Sequence, residues 1–152
     1  MKSVAYEELL QKDGRVMTHV VGSSMLPLLH DRQSIVIVES VQNVPPERGD
    51  VVLYKTNGTY ILHRIRKVTP EEYLIRGDNT WTLEHIPRGA ILATMTGFYR
   101  TPEGKLITKN NLSYRLYRAA LPAVRLIRRG GGKARRIVRK ALRHHTSVDR
   151  RL

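Results

Sequence analysis

VVLYKTNGTYILHRI, residues 51–65, is the stretch that decides the fold. Two runs of β-branched and aromatic residues flank Asn57-Gly58. That dipeptide is the strongest short hairpin signal, because a type I′ turn needs positive φ at both central positions and Asn and Gly reach it most readily. A two-residue loop then fixes the pairing: Thr56 faces Thr59, Lys55 faces Tyr60, Tyr54 faces Ile61, Leu53 faces Leu62 and Val52 faces His63. Side chains alternate faces along a strand. Ile61, His63 and Ile65 therefore share one face with Val52, Tyr54 and, at the start of the strand, Asp50, while Leu53, Lys55, Leu62 and Arg64 point to the other.

The same period of two recurs on both sides of the hairpin. Together with Asp50–Thr56 and Thr59–Val68, the segments Val16–Val21, Ser34–Glu39, Glu72–Ile75, Ala90–Arg100 and Lys105–Thr108 are short, rich in Val, Ile, Thr and Tyr, and separated by Gly, Pro, Asn and Asp. Ahead of them a short helix is predicted over Val4–Asp13, with Ser3 as N-cap and Gly14 just past its end. The expected fold is mainly β with a short N-terminal helix. Beyond Asn111 the pattern turns helical, LSYRLYRAALPAVRLIRR, with Pro122 expected to kink or break it. Gly130-Gly131-Gly132 reads as a hinge. After it, Ala134, Ile137, Val138, Ala141 and Leu142 form one apolar stripe among six lysines and arginines, a basic amphipathic helix.

Charge divides the chain the same way. Residues 1–111 hold 14 Lys and Arg against 12 Asp and Glu, whereas residues 112–152 hold 13 against Asp149 alone, so nearly all of the net +14 sits in the tail. A near-neutral domain over 1–111 and a cationic appendage over 112–152 follow. At 152 residues the chain has room for one domain and a tail, and the absence of cysteine excludes disulfides, zinc–thiolate sites, iron–sulfur clusters and cysteine nucleophiles. The apolar runs Val20–Leu29 and Ser34–Val38 fall short of the roughly 18–20 residues of a membrane span. The start, MKSVAYEELLQKDG, is acidic and amphipathic rather than a secretory signal, which makes the cytoplasm the expected compartment.

Four short motifs carry the candidate chemistry: Gly22-Ser23-Ser24-Met25-Leu26-Pro27, Arg48-Gly49-Asp50-Val51-Val52, His63-Arg64-Ile65 and Gly77-Asp78-Asn79. Taken singly each has a plain structural explanation. Gly and Ser populate turns, His63 between Ile61 and Ile65 fits a core histidine, and the two Arg-Gly-Asp triplets fit charged turns at strand ends. As an ordered set, G-x-S-M-x-P, R-G-D-V-V, H-R-I and G-D-N, they resemble the serine peptidase superfamily of type I signal peptidases and LexA-like self-cleaving proteins, over roughly residues 16–100.

The resemblance implies a small, mostly β peptidase domain in which Ser24 is the nucleophile and His63 the base, as in the histidine-using, endoplasmic-reticulum type of signal peptidase. The hairpin register agrees independently, since Lys55, the nearest lysine, lies on the face opposite His63. A neutral imidazole accepts a serine proton near neutral pH, whereas a lysine needs strong desolvation first. For the acid that orients the imidazole, the resemblance leaves Glu84 and Asp78 level, with Asp50 a weaker third. Gly22 supplies no side-chain donor to the oxyanion, so the Ser24 amide, helped by the Ser23 hydroxyl, is expected to serve. His19, His30 and His85 lack metal-ligand spacing and His144-His145 lies in the tail, so neither metal nor cofactor is expected.

The implied activity is endopeptidase cleavage of a leader, a precursor peptide or a partner protein; the alternative is a non-catalytic module on the same scaffold that binds peptides or anionic surfaces. For the tail, contact with an anionic membrane surface or an acidic partner is favoured over nucleic acid, because only Tyr114 and Tyr117 accompany its charge and no nucleic-acid-binding signature is present.

Overall fold

The computed structural model describes residues 5–127. Ser3, the triple glycine at 130–132, the basic amphipathic segment after it and His144-His145 lie outside the described residues. The chain divides into two compact units, Met1–Tyr114 and Arg115–Leu152.

The first unit is mainly β. Helix α1 (Tyr6–Asp13) begins at Ala5 and ends at Gly14, whose φ of 68° is the left-handed conformation that closes a helix. Eight strands follow: β1 (Arg15–His19), β2 (Ile35–Ser40), β3 (Val51–Thr56), β4 (Thr59–Val68), β5 (Glu72–Arg76), β6 (Glu84–Pro87), β7 (Ile91–Tyr99) and β8 (Ile107–Thr108). They form one antiparallel sheet in the order β1-β2-β7-β3-β4-β5-β6, with β8 on β7. The central β3 has Val51, Val52, Leu53 and Tyr54 buried in succession, as expected for a strand covered on both faces.

The β3–β4 hairpin pairs residue for residue as the Asn57-Gly58 turn dictates, from Thr56 opposite Thr59 to Val52 opposite His63, and both turn residues have positive φ. One strand escaped the sequence pattern. Glu84-His85-Ile86-Pro87 does not alternate cleanly, yet Glu84–Pro87 pairs with β5 as an edge strand, the place where a terminal proline breaks no ladder. The connection between β1 and β2 is closed at its neck by Val20 N–H to the Ser34 carbonyl and Arg32 N–H to the Val20 carbonyl. It is anchored from within by Met25, Leu28 and Leu29, all at most 1% exposed.

Residues 112–127 are helical, and the helix runs through Pro122 without a break. Its start agrees with the change of pattern after Asn111, but the first unit extends three residues further than the charge boundary, to Tyr114. The reason is packing: the Tyr114 ring meets Phe98 edge-on and its hydroxyl accepts from Arg64.

Candidate active site

The site is assembled from four stretches of chain: the turn after β1, strand β3, strand β4, and the segment from the end of β5 into β6. Ser24 stands half-buried in the first, directly before the buried Met25 that pins the turn. A second turn, Gly77–Thr80, docks on it. The Asn79 N–H donates to the Ser24 carbonyl at 2.8 Å, and the Asn79 side-chain amide donates to the Ser23 carbonyl at 3.1 Å. Between these contacts Gly77 passes so close that a β-carbon there would lie 2.6 Å from the Ser24 carbonyl oxygen and 3.0 Å from His63 Nε2. Only glycine fits, and the Ser24 main-chain carbonyl and the Nε2 side of the imidazole border the same small space.

On the other side of the ring, Nδ1 lies 3.1 Å from the Tyr54 hydroxyl and 3.5 Å from Glu84 Oε2, and the Tyr54 hydroxyl donates to that same carboxylate. Strand register explains the convergence. Residues directly opposite each other share a face; Ile65, on the His63 face of β4, is opposite Ile75 of β5, and Ile75 is opposite Glu84 of β6. Tyr54 reaches the ring from β3, on the same face.

Electrostatics favour a neutral imidazole. His63 is 6% exposed, and its pKa is lowered below the usual 6.5 because burial penalises the cation, with Glu84 and Asp78 pulling partly the other way. The Tyr54 phenol is pushed up, by burial first and by Glu84 second, so it keeps its proton.

The carboxylates that the sequence left open occupy different environments. Glu84 is the one beside the imidazole. Asp78 faces Arg64, accepting from Nε at 2.9 Å and from Nη2 at 2.7 Å, and takes a further hydrogen bond from Arg66. Arg64, 1% exposed, also donates to the Gly49 carbonyl and the Tyr114 hydroxyl. Burial works against its charge, but Asp78 more than offsets this and the guanidinium stays protonated. Asp50 turns back on its own loop, its side chain accepting from the Glu47 N–H. Through these contacts Asp78 and Asp50 hold turns.

Lys55 lies on the far face, paired with Glu7 of α1 at 3.0 Å and with Tyr60. Ser23 is exposed, and among the described residues no acceptor engages the Ser24 N–H. His85 pairs with Glu72 at the surface, and no cluster among the described residues could hold a metal ion. The sequence reading missed two contributors, Tyr54 and Arg64. Tyr54 was already on the His63 face, one alternation from the residue opposite it; Arg64 stood inside the His63-Arg64-Ile65 motif, but nothing signalled its anchoring role, because a solvated arginine and a buried one read alike.

A family model described as Peptidase S24-like matches residues 2–95. No curated protein matches the chain.

Proposed function

The chain belongs to the Peptidase S24-like family, within the LexA and signal peptidase superfamily, and from that membership we propose that it is a serine endopeptidase of the histidine-using kind, with Ser24 as nucleophile, His63 as general base and Glu84 as the acid behind the base. The observation that carries the reading is the two-sided environment of one imidazole: Nε2 borders the Ser24 turn across Gly77, and Nδ1 faces Tyr54 and Glu84.

The chemistry follows the logic of a triad. His63 Nε2 takes the Ser24 proton as the hydroxyl oxygen attacks the scissile carbonyl. The oxyanion that forms accepts from the Ser24 N–H, with the exposed Ser23 hydroxyl alongside. His63 then returns the proton to the departing amine, and a water, deprotonated by the same nitrogen, hydrolyses the acyl-enzyme. Glu84 balances the imidazolium formed in both halves.

A peptide substrate is supported by what surrounds the site. Strand β1, which leads into Ser24, is the first in the sheet order and, among the described residues, has no strand on its outer side, a position where an extended peptide can add. Val21, Trp81 and Leu83, within three residues of Ser24, Asn79 and Glu84 along the chain, leave 76%, 60% and 41% of their surfaces exposed. The substrate we favour is a leader or precursor peptide or a partner protein, with residues 112–152 adding affinity for an anionic membrane surface at the inner side of the cell.

The test is digestion of a proteome-derived peptide library, with new termini read by mass spectrometry. Ser24→Ala and His63→Ala are each expected to remove cleavage while leaving the melting temperature nearly unchanged. Undiminished cleavage by Ser24→Ala refutes the assignment.

A further inference from the structure

The imidazole of a serine peptidase works only in the tautomer that leaves a lone pair toward the serine. In this chain two groups decide that tautomer, and one of them is not a carboxylate. We propose that Tyr54 is a positioning residue that fixes His63 as the Nδ1–H tautomer, passing the pull of Glu84 to the ring through its hydroxyl. The inference rests on the serine–histidine reading above and deepens it.

It is derived by counting protons. An ionised Glu84 only accepts, and the Tyr54 hydroxyl has a single proton to give. That proton goes to Glu84 Oε2. The hydroxyl oxygen, 3.1 Å from Nδ1, can then only accept, so Nδ1 carries the hydrogen and Nε2, on the Gly77 and Ser24 side, carries the lone pair. Glu84 itself is 3.5 Å from Nδ1, beyond good hydrogen-bond length, while the hydroxyl is within it.

Burial gives the arrangement its force. Tyr54 is fully buried among Val52, Ile65, Tyr73, Ile75 and Ile91, so its ring has no freedom to swing away. When Nε2 takes the serine proton, the hydroxyl keeps its own, and the charged ring remains bonded to an oxygen polarised by Glu84. No proton moves along Tyr54. Its ionisation is disfavoured by burial and by the neighbouring carboxylate, and its part is orientation and polarisation.

The experiment is nitrogen NMR of the isotope-labelled imidazole, above the titration of His63, in the full chain without substrate. The expected wild-type spectrum has Nδ1 protonated and Nε2 bare. Tyr54→Phe, which removes one oxygen and keeps the ring, is expected to lose that preference and to lower kcat on the peptide library by about tenfold to a hundredfold with KM little changed. Glu84→Ala is the second variant: with no acceptor there, the hydroxyl turns its proton to Nδ1 and the ring proton moves to Nε2.

A wild-type ring protonated on Nε2 overturns the proposal, as does retention of Nδ1–H in Tyr54→Phe or in Glu84→Ala, whatever the rates. Loss of the serine–histidine reading has a different mark, cleavage that survives Ser24→Ala, and the tautomer result stands or falls independently of it.

Discussion

His63 and Arg64 are consecutive, yet the two faces of β4 put them to opposite uses. On one face a base is buried with no full countercharge in hydrogen-bond contact, so that its charged form is penalised. On the other a cation is buried with a two-point carboxylate partner, a carbonyl and a phenol, so that its charge is held permanently. A group meant to gain and lose a proton needs an incomplete set of partners. A group meant to anchor needs a complete one, because an ion taken from water without full compensation costs several kcal/mol. The turn Gly77-Asp78-Asn79 joins the two faces: Asp78 ties it to the anchor, Asn79 ties the serine turn to it, and Gly77 leaves room for the imidazole.

The contrast is open to direct attack. Activity and stability should separate between the neighbours. His63→Ala should lower the cleavage rate by about 10³-fold, within the range that a positioned proton acceptor contributes, with little change in denaturant midpoint. Asp78→Ala should instead destabilise by about 3–5 kcal/mol, since it leaves the Arg64 guanidinium buried without its main partner. Urea unfolding followed by circular dichroism reads that loss. If Asp78→Ala proves as stable as the parent, the anchoring half of the contrast is wrong.

Next in size is the joint between the faces. Gly77→Ala places a methyl against a backbone oxygen that cannot swing aside, so the serine turn must shift. A fall in kcat of about 10²-fold is expected, together with about 1–3 kcal/mol of stability. A crystal structure of the variant should show Ser24 displaced from His63; an undisplaced turn contradicts the clearance argument.

The pH dependence sharpens the His63 side. Cleavage requires the neutral ring, so the acid limb of the rate profile should have its midpoint below 6.5. Stability moves in the same sense. Between 6.5 and the lower folded value the unfolded chain binds a proton that the folded chain does not, so stability falls as pH drops through that window. Chemical denaturation at several pH values, compared with His63→Ala, isolates the contribution. A midpoint above 6.5 would mean that Glu84 outweighs burial. The smallest effect belongs to Lys55. Its exposed pair with Glu7 is the kind that contributes little, and Lys55→Met should cleave the library at the parent rate; a large loss would return the lysine to the chemistry.

Much of this was legible beforehand because it is local. The hairpin, the face of His63 and the exclusion of Lys55 all follow from one dipeptide and a period of two. Strand β6 was not legible, since four residues ending in proline carry too little alternation to stand out, and Glu84 lost its context with it. Arg64 was hidden for another reason: burial of an arginine depends on Asp78, Gly49 and Tyr114, and only the fold brings these together.

By itself the sequence determined the β character, the pairing of β3 with β4, the family and the candidate residues, since dihedral preferences and side-chain alternation act over a few residues. Which carboxylate meets the imidazole, and what intervenes, was decided by tertiary structure. Asp78 and Glu84 are six residues apart and alike in charge, and what separates them is the register of β4, β5 and β6, a set of non-local pairings that carries one acid to the ring and leaves the other beneath the turn.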